Sequence, residues 1–178
     1  MPSSMQMRWF ILGIAATFVG LIVGGYLFVT MGGISMETTA HPLPFEKMVA
    51  KMALHASFGN AAQDKSPIAP DDTNLLAGAK LFTKHCAVCH STPGQEHSAI
   101  AKGMFPPPPL LFKQGQMVTN DPEGISYWKV THGIRLSGMP GFKSTLTDTE
   151  RWQLAMLVKH ADALSPAVLA ALAPPAPM

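Results

Sequence analysis

From Trp9 to Met36 the chain carries no charged residue and is dominated by Ile, Leu, Val, Phe, Ala and Gly. About 20 such residues are enough for a helix to cross the hydrocarbon core of a bilayer, so the stretch predicts one membrane-spanning helix. A secretory signal has a shorter apolar run, about 7–15 residues, closed by a small-residue cleavage site. No clear site of that kind follows here, and residues 9–36 read as an uncleaved signal anchor. Arg8 precedes the span, and the bias of positive residues toward the cytoplasm places the head, residues 1–8, inside.

Beyond the span the period changes. Phe45, Met48, Val49, Met52 and Ala56 recur at helical spacing within Pro44 to Phe58. They predict a short amphipathic helix for a membrane surface or a partner. Gly59 to Asp72 has Ala, Pro, Asp and Lys without a period and reads as a linker, so 37–72 is helix plus linker. Leu75 to His85 predicts a helix containing Gly78, Leu81 and Phe82. Thr147 with Glu150 three residues on is a capping box, opening a helix from Asp148 to about Ala163. That helix has two apolar sides, one with Trp152, Ala155 and Met156 and one with Leu154, Leu157 and Val158, as packing against both protein and a cofactor requires. No stretch alternates with the period of a strand. The expected fold is mostly α: a single transmembrane helix, a compact domain over 73–164 and an Ala/Pro-rich tail over 165–178 with room for a short turn and mobile beyond it.

Composition narrows the class. Apolar residues make up 47% of the 178 and charged residues 13%, a balance that fits one membrane segment plus one small domain. The formal net charge is +2 with no Lys/Arg cluster, which excludes nucleic acid as a partner. A domain of about 90 residues is small for a self-sufficient core, and a buried prosthetic group would supply the missing apolar contact.

The two cysteines identify that group. Cys86-Ala87-Val88-Cys89-His90 is a C-x-x-C-H unit, whose two thiols lie on one side of a helix and can join the two vinyl groups of a haem as thioethers. His90, next in the chain, then comes under the iron as proximal ligand. A thioredoxin-like pair would need a βαβ context and a zinc site a second pair of ligands; the sequence has neither. For the sixth ligand, twelve methionines compete. Met139 in Ser137-Gly138-Met139-Pro140-Gly141 is the leading candidate because the flanking Gly and Pro would hold a rigid loop. Met104 is its main rival, and His97 or His132 would give bis-His ligation. Pro106 to Pro109 lacks backbone donors but offers carbonyls, one of which could accept a hydrogen bond from the proximal His.

Taken together, Gly78 to Phe82, the motif at 86–90, Pro109 to Leu111, Tyr127-Trp128, Gly133-Ile134-Arg135, Gly138-Met139-Pro140 and Thr147 to Leu157 with Trp152 resemble a class I cytochrome c. The likeness spans about Leu75 to Leu164 and is closest to membrane-anchored monohaem types with a Gly-Met-Pro ligand loop. It implies one covalent haem c, His90 and Met139 as axial ligands, the Pro109 carbonyl as acceptor for the His90 ring, and Gly78 as the point where the first and last helices cross. His132 departs from the pattern, which commonly has Asn before this glycine. Arg135 and Lys143 flank the ligand loop; they would dock an acidic partner, or Arg135 would pair with a haem propionate.

Three functions fit these residues. The first is a one-electron carrier, tethered in a bacterial-type inner membrane with its haem domain in the periplasm, and a subunit of a respiratory or dehydrogenase complex with redox protein partners. The second is the same carrier free-standing. The third is a haem enzyme with an open sixth site for a gas or peroxide. A single C-x-x-C-H limits the chain to one haem, and catalysis by the chain alone is not expected.

Overall fold

The structure, a computed structural model, describes residues 3–173 and divides into two compact units at Pro44. The first is helix α1, Ser4–Thr30, 27 residues long. Its length and apolar composition are enough to cross a membrane, a test that a signal sequence also passes. It begins before Trp9 because Ser3 and Gln6 form a capping box, Ser3 Oγ accepting from the Gln6 N–H at 3.3 Å and Gln6 Oε1 from the Ser3 N–H at 2.9 Å. It stops before Met36 because Gly32, at φ +82°, turns the chain and lets the Gly33 N–H close on the Phe28 carbonyl at 2.8 Å.

The second unit opens with α2, Glu46–Ser57, entered through Phe45 at φ +65°. Among the described residues of this unit no other helix packs along α2. Phe45, Met48, Val49 and Met52 all face solvent. Its end joins the domain through Phe58, whose ring meets that of Trp128 edge-on at 5.2 Å.

Residues 59–72 are more than a linker. A 3-10 turn at Ala61–Gln63 packs on a later helix, and a Cβ on Gly124 would lie 2.0 Å from the Ala61 carbonyl oxygen. The Ser66 N–H donates to Glu123 Oε1 at 2.8 Å. Contacts between backbones leave no hydrophobic period, which is why the sequence reads as unstructured there.

The remaining helices are α3, Asp72–His85; α4, Ala87–His90; α5, Ala99–Lys102; α6, Glu123–His132; α7, Asp148–Lys159; and α8, Pro166–Leu172. Among the described residues there is no strand, only an isolated bridge between Ile134 and Met139. The core forms where α3 meets α7 and α8, around Leu75, Phe82, Leu154, Leu157, Val168 and Leu172. The tail therefore departs from expectation up to Ala173. Ser165 caps α8, Pro166 occupies its first turn, and Val168 and Leu172, one turn apart, are completely buried. The surrounding Ala/Pro composition hides that pair; residues 174–178 lie outside those described.

The α7 cap is as expected: Thr147 Oγ1 accepts from the Glu150 N–H at 3.3 Å and Glu150 Oε2 from the Thr147 N–H at 2.7 Å. Six apolar residues of α7 are buried, Trp152, Leu154, Ala155, Met156, Leu157 and Val158, and Trp152 stacks on Tyr127 at 4.0 Å. Arg151 is buried beside them and bonds Asp148 at 2.9 Å and the Tyr127 hydroxyl at 3.3 Å. Tyr127 in turn donates to Asp148. Lys159 reaches the carbonyls of Thr119 and Asp121 at 2.6 and 2.9 Å, tying the segment before α6 to α7.

Gly78 fixes the α3–α7 crossing. A Cβ there would lie 2.5 Å from the Gln153 carbonyl oxygen, an atom of helix backbone that cannot move aside. Gly78→Ala gains about 1 kcal/mol of helix propensity but overpacks the crossing, typically about 1–3 kcal/mol. The expected outcome is a net loss, read as a lowered midpoint in urea unfolding of the detergent-solubilised chain.

The hydrogen bonds from Tyr127 and Arg151 hold the Asp148 carboxyl below its ordinary 3.8. A depressed carboxylate contributes stability above its unfolded value and loses it as pH falls through the folded one. The stability gap between the natural chain and Asp148→Asn is therefore expected to be full near pH 6 and to shrink below pH 3.8, as unfolding curves over that range would measure.

Candidate functional site

Cys86 ends α3, its N–H bonding the Phe82 carbonyl at 2.8 Å, and at once begins α4, where the His90 N–H returns to the Cys86 carbonyl at 2.9 Å. One helical turn thus carries both thiols, three positions apart and on the same side, and His90. Both cysteines are free. Burial pushes the Cys86 thiol up to about 12, with Cys89 adding to the shift, so it stays protonated and neutral near pH 7.

The His90 ring is oriented by one contact: Nδ1 lies 2.8 Å from the Pro109 carbonyl oxygen. A carbonyl only accepts, so Nδ1 carries the proton and Nε2 keeps its lone pair. Burial holds this ring below the ordinary histidine value of 6.5, the Pro109 bond partly opposing and His97 adding to the depression. The ring is neutral at pH 7. A cavity of about 260 Å3 borders it, lined also by Thr92, Leu110, Phe112 and Lys113; Cys86, Cys89 and Met139 do not line it.

The loop after α6 is held by two glycines. Gly133 sits at φ +70°, and a Cβ on it would lie 2.6 Å from the Met139 carbonyl oxygen; one on Gly141 would lie 2.7 Å from the carbonyl of His132. The Ile134 N–H bonds the Met139 carbonyl at 3.1 Å, and Ser137 Oγ accepts from the Met139 N–H at 3.3 Å. Met139 is therefore pinned by its own backbone. Met104 comes to the same place: a Cβ on Gly138 would lie 2.7 Å from the Met104 methyl. Arg135 and Lys143 are exposed.

The rival histidines have other partners. His97 places Nε2 2.8 Å from the Pro108 carbonyl oxygen, and His132 packs its ring against Trp128 at 5.0 Å.

Residues 73–158 match the family described as cytochrome C oxidase, cbb3-type, subunit III. This stretch is a class I cytochrome c domain. The resemblance read from the sequence is thereby borne out for the domain, and with it haem binding and electron carriage. No curated protein and no solved structure matches the chain.

The residues of the cytochrome c domain fit a haem by their donor chemistry: two thiols outside any disulfide on one turn, an imidazole whose outer nitrogen is already engaged, and the Met139 thioether on a constrained loop. Sequence reasoning missed the paired close approach of Gly133 and Gly141 and the engagement of His97. The first had a legible signal in two glycines bracketing a Met-Pro. The second had none, because the contact joins a histidine to a main-chain oxygen.

Proposed function

We propose that the chain is a one-electron carrier with a single covalent haem c, tethered to a membrane by α1 and serving as a subunit of a respiratory or dehydrogenase electron-transfer complex. The observation that carries this reading is the His90–Pro109 hydrogen bond beside two free thiols. It leaves Nε2 as a neutral donor fixed in direction, which is what a proximal ligand requires. Cys86 and Cys89 would form the thioethers, His90 and Met139 would hold the iron, and Pro109 would orient the His90 ring. When bound, the haem iron supplies the one-electron change between ferrous and ferric states. Met139, a weaker donor than imidazole, favours the reduced state and places the domain at the high-potential end of a chain.

Membrane tethering draws on the length and hydropathy of α1 and on Arg8 ahead of it. The head is then cytoplasmic and the haem domain periplasmic, in a bacterial-type inner membrane. Membership of a complex draws on the family description and on the apolar face of α2, which no other helix in the described residues of its unit covers. Arg135 and Lys143, exposed on either side of the ligand loop, suit an acidic redox partner better than a buried propionate pair. Leu136 between them, at φ +63° and 88% exposed, adds an apolar point to that face.

The ferric near-infrared spectrum tests the ligation. A sulfur-to-iron band is expected in the natural chain and in Met104→Leu, and is lost in Met139→Ala combined with Met104→Leu. Loss in Met104→Leu alone assigns the ligand to Met104, and a high-spin spectrum of the natural chain overturns the carrier reading in favour of an open-site haem enzyme.

Electron transfer from an acidic redox protein is expected to slow as ionic strength rises, because at about 0.1 M screening acts over about 10 Å. Arg135→Gln lowers the low-salt rate and flattens the dependence. A rate indifferent to salt in the natural chain removes Arg135 and Lys143 from docking.

A further inference from the structure

Four consecutive prolines, Pro106 to Pro109, have no N–H among them, so the run cannot fix its carbonyls through main-chain donors of its own. Donors must come from outside the run. The structure supplies them to two successive carbonyls: His97 Nε2 to Pro108 and His90 Nδ1 to Pro109, both at 2.8 Å. Each acceptor is a carbonyl, so each ring nitrogen carries the proton. The peptide that holds the Pro109 carbonyl also ends in the Leu110 N–H, and this donates to Gln116 Oε1 at 2.8 Å. His97 therefore holds the peptide plane before Pro109, and Gln116 holds the plane after it. With φ of Pro109 set by its ring, the acceptor that meets His90 has little freedom left.

His97 is itself held on both sides. The carbonyl of Glu96, just before it, accepts from Ser91 Oγ at 2.9 Å, and Ser98, just after it, donates through Oγ to the Val88 carbonyl at 2.5 Å. Ser91 and Val88 belong to the end of α4 that carries His90. The loop thus returns from α4, grips the proline run and is tied back to α4.

We propose that His97 is a positioning residue for the haem site: with Gln116 it sets the place of the Pro109 carbonyl, and so the strength of the His90 Nδ1–H bond and the reduction potential. The inference rests on His90 being the proximal ligand. A stronger Nδ1–H bond makes the imidazole a better donor and favours the oxidised state. Removing the His97 donor loosens the Pro109 carbonyl, weakens that bond and raises the potential.

The test uses the full haem-loaded chain in mild detergent at pH 8. His97→Phe keeps ring volume without the donor, His97→Gln keeps an amide donor, and Gln116→Leu frees the other plane. The expected result is an upward shift in midpoint potential for His97→Phe and Gln116→Leu, near-natural behaviour for His97→Gln, and faster solvent exchange of the His90 ring N–H by NMR in the first two. If His97→Phe lowers thermal stability but moves neither potential nor exchange, His97 is only a brace and the proposal falls. A natural chain lacking low-spin haem overturns the carrier reading and this inference with it. A low-spin haem whose potential ignores His97→Phe overturns the inference alone.

Discussion

Where α3 crosses α7, the missing side chain at Gly78 lets the backbone of Gln153 approach to a distance that no Cβ would permit. Phe82 and Leu157 are buried in the core at this crossing, and α8 packs against α3 to close it. The direction in which α3 ends follows from the crossing, and the last residue of α3 adjoins Cys86. The position of both thiols and of His90 is thus inherited from helix packing. At the start of α7, which the Thr147–Glu150 box caps, the Arg151–Asp148–Tyr127 contacts bind it to α6, from which the Met139 loop departs.

The second constraint has a different character. The walls of the site on the His90 side come from a proline run and loops with few main-chain hydrogen bonds. Order there is imposed by single side chains, His90, His97 and Gln116, each engaging one main-chain group. The two regimes meet at α4, which is one turn long and belongs to both. Rigid packing locates the turn that carries Cys86, Cys89 and His90, and a small polar network sets the orientation of the His90 ring.

This division explains what the sequence revealed. The α7 cap and the α3 helix were legible because capping pairs and helical periods leave signals in residue type, and the crossing at Gly78 was legible through the family resemblance. The C-x-x-C-H unit was legible because it is a fixed spacing of residue types along the chain. The packing of residues 59–66 and of α8 was not. The former depends on a backbone contact at Gly124, and the latter on just Val168 and Leu172 in an Ala/Pro background. Helix α1 is offset from the apolar stretch at both ends because hydropathy marks that stretch, whereas Ser3 and Gly32 mark the helix. His97 was weighed as an iron ligand since residue type alone cannot distinguish coordination from a hydrogen bond to proline.

The burial of Val168 and Leu172 against α3 gives the domain an order in time. A chain made from its N-terminus presents α3 and the Cys86–Cys89 turn well before α7 and α8 exist to cover Phe82. The thiols are therefore delivered on an incomplete, open core, and the structure closes only when its last helix arrives. A haem placed on that turn during the interval would have the remaining helices assemble around it.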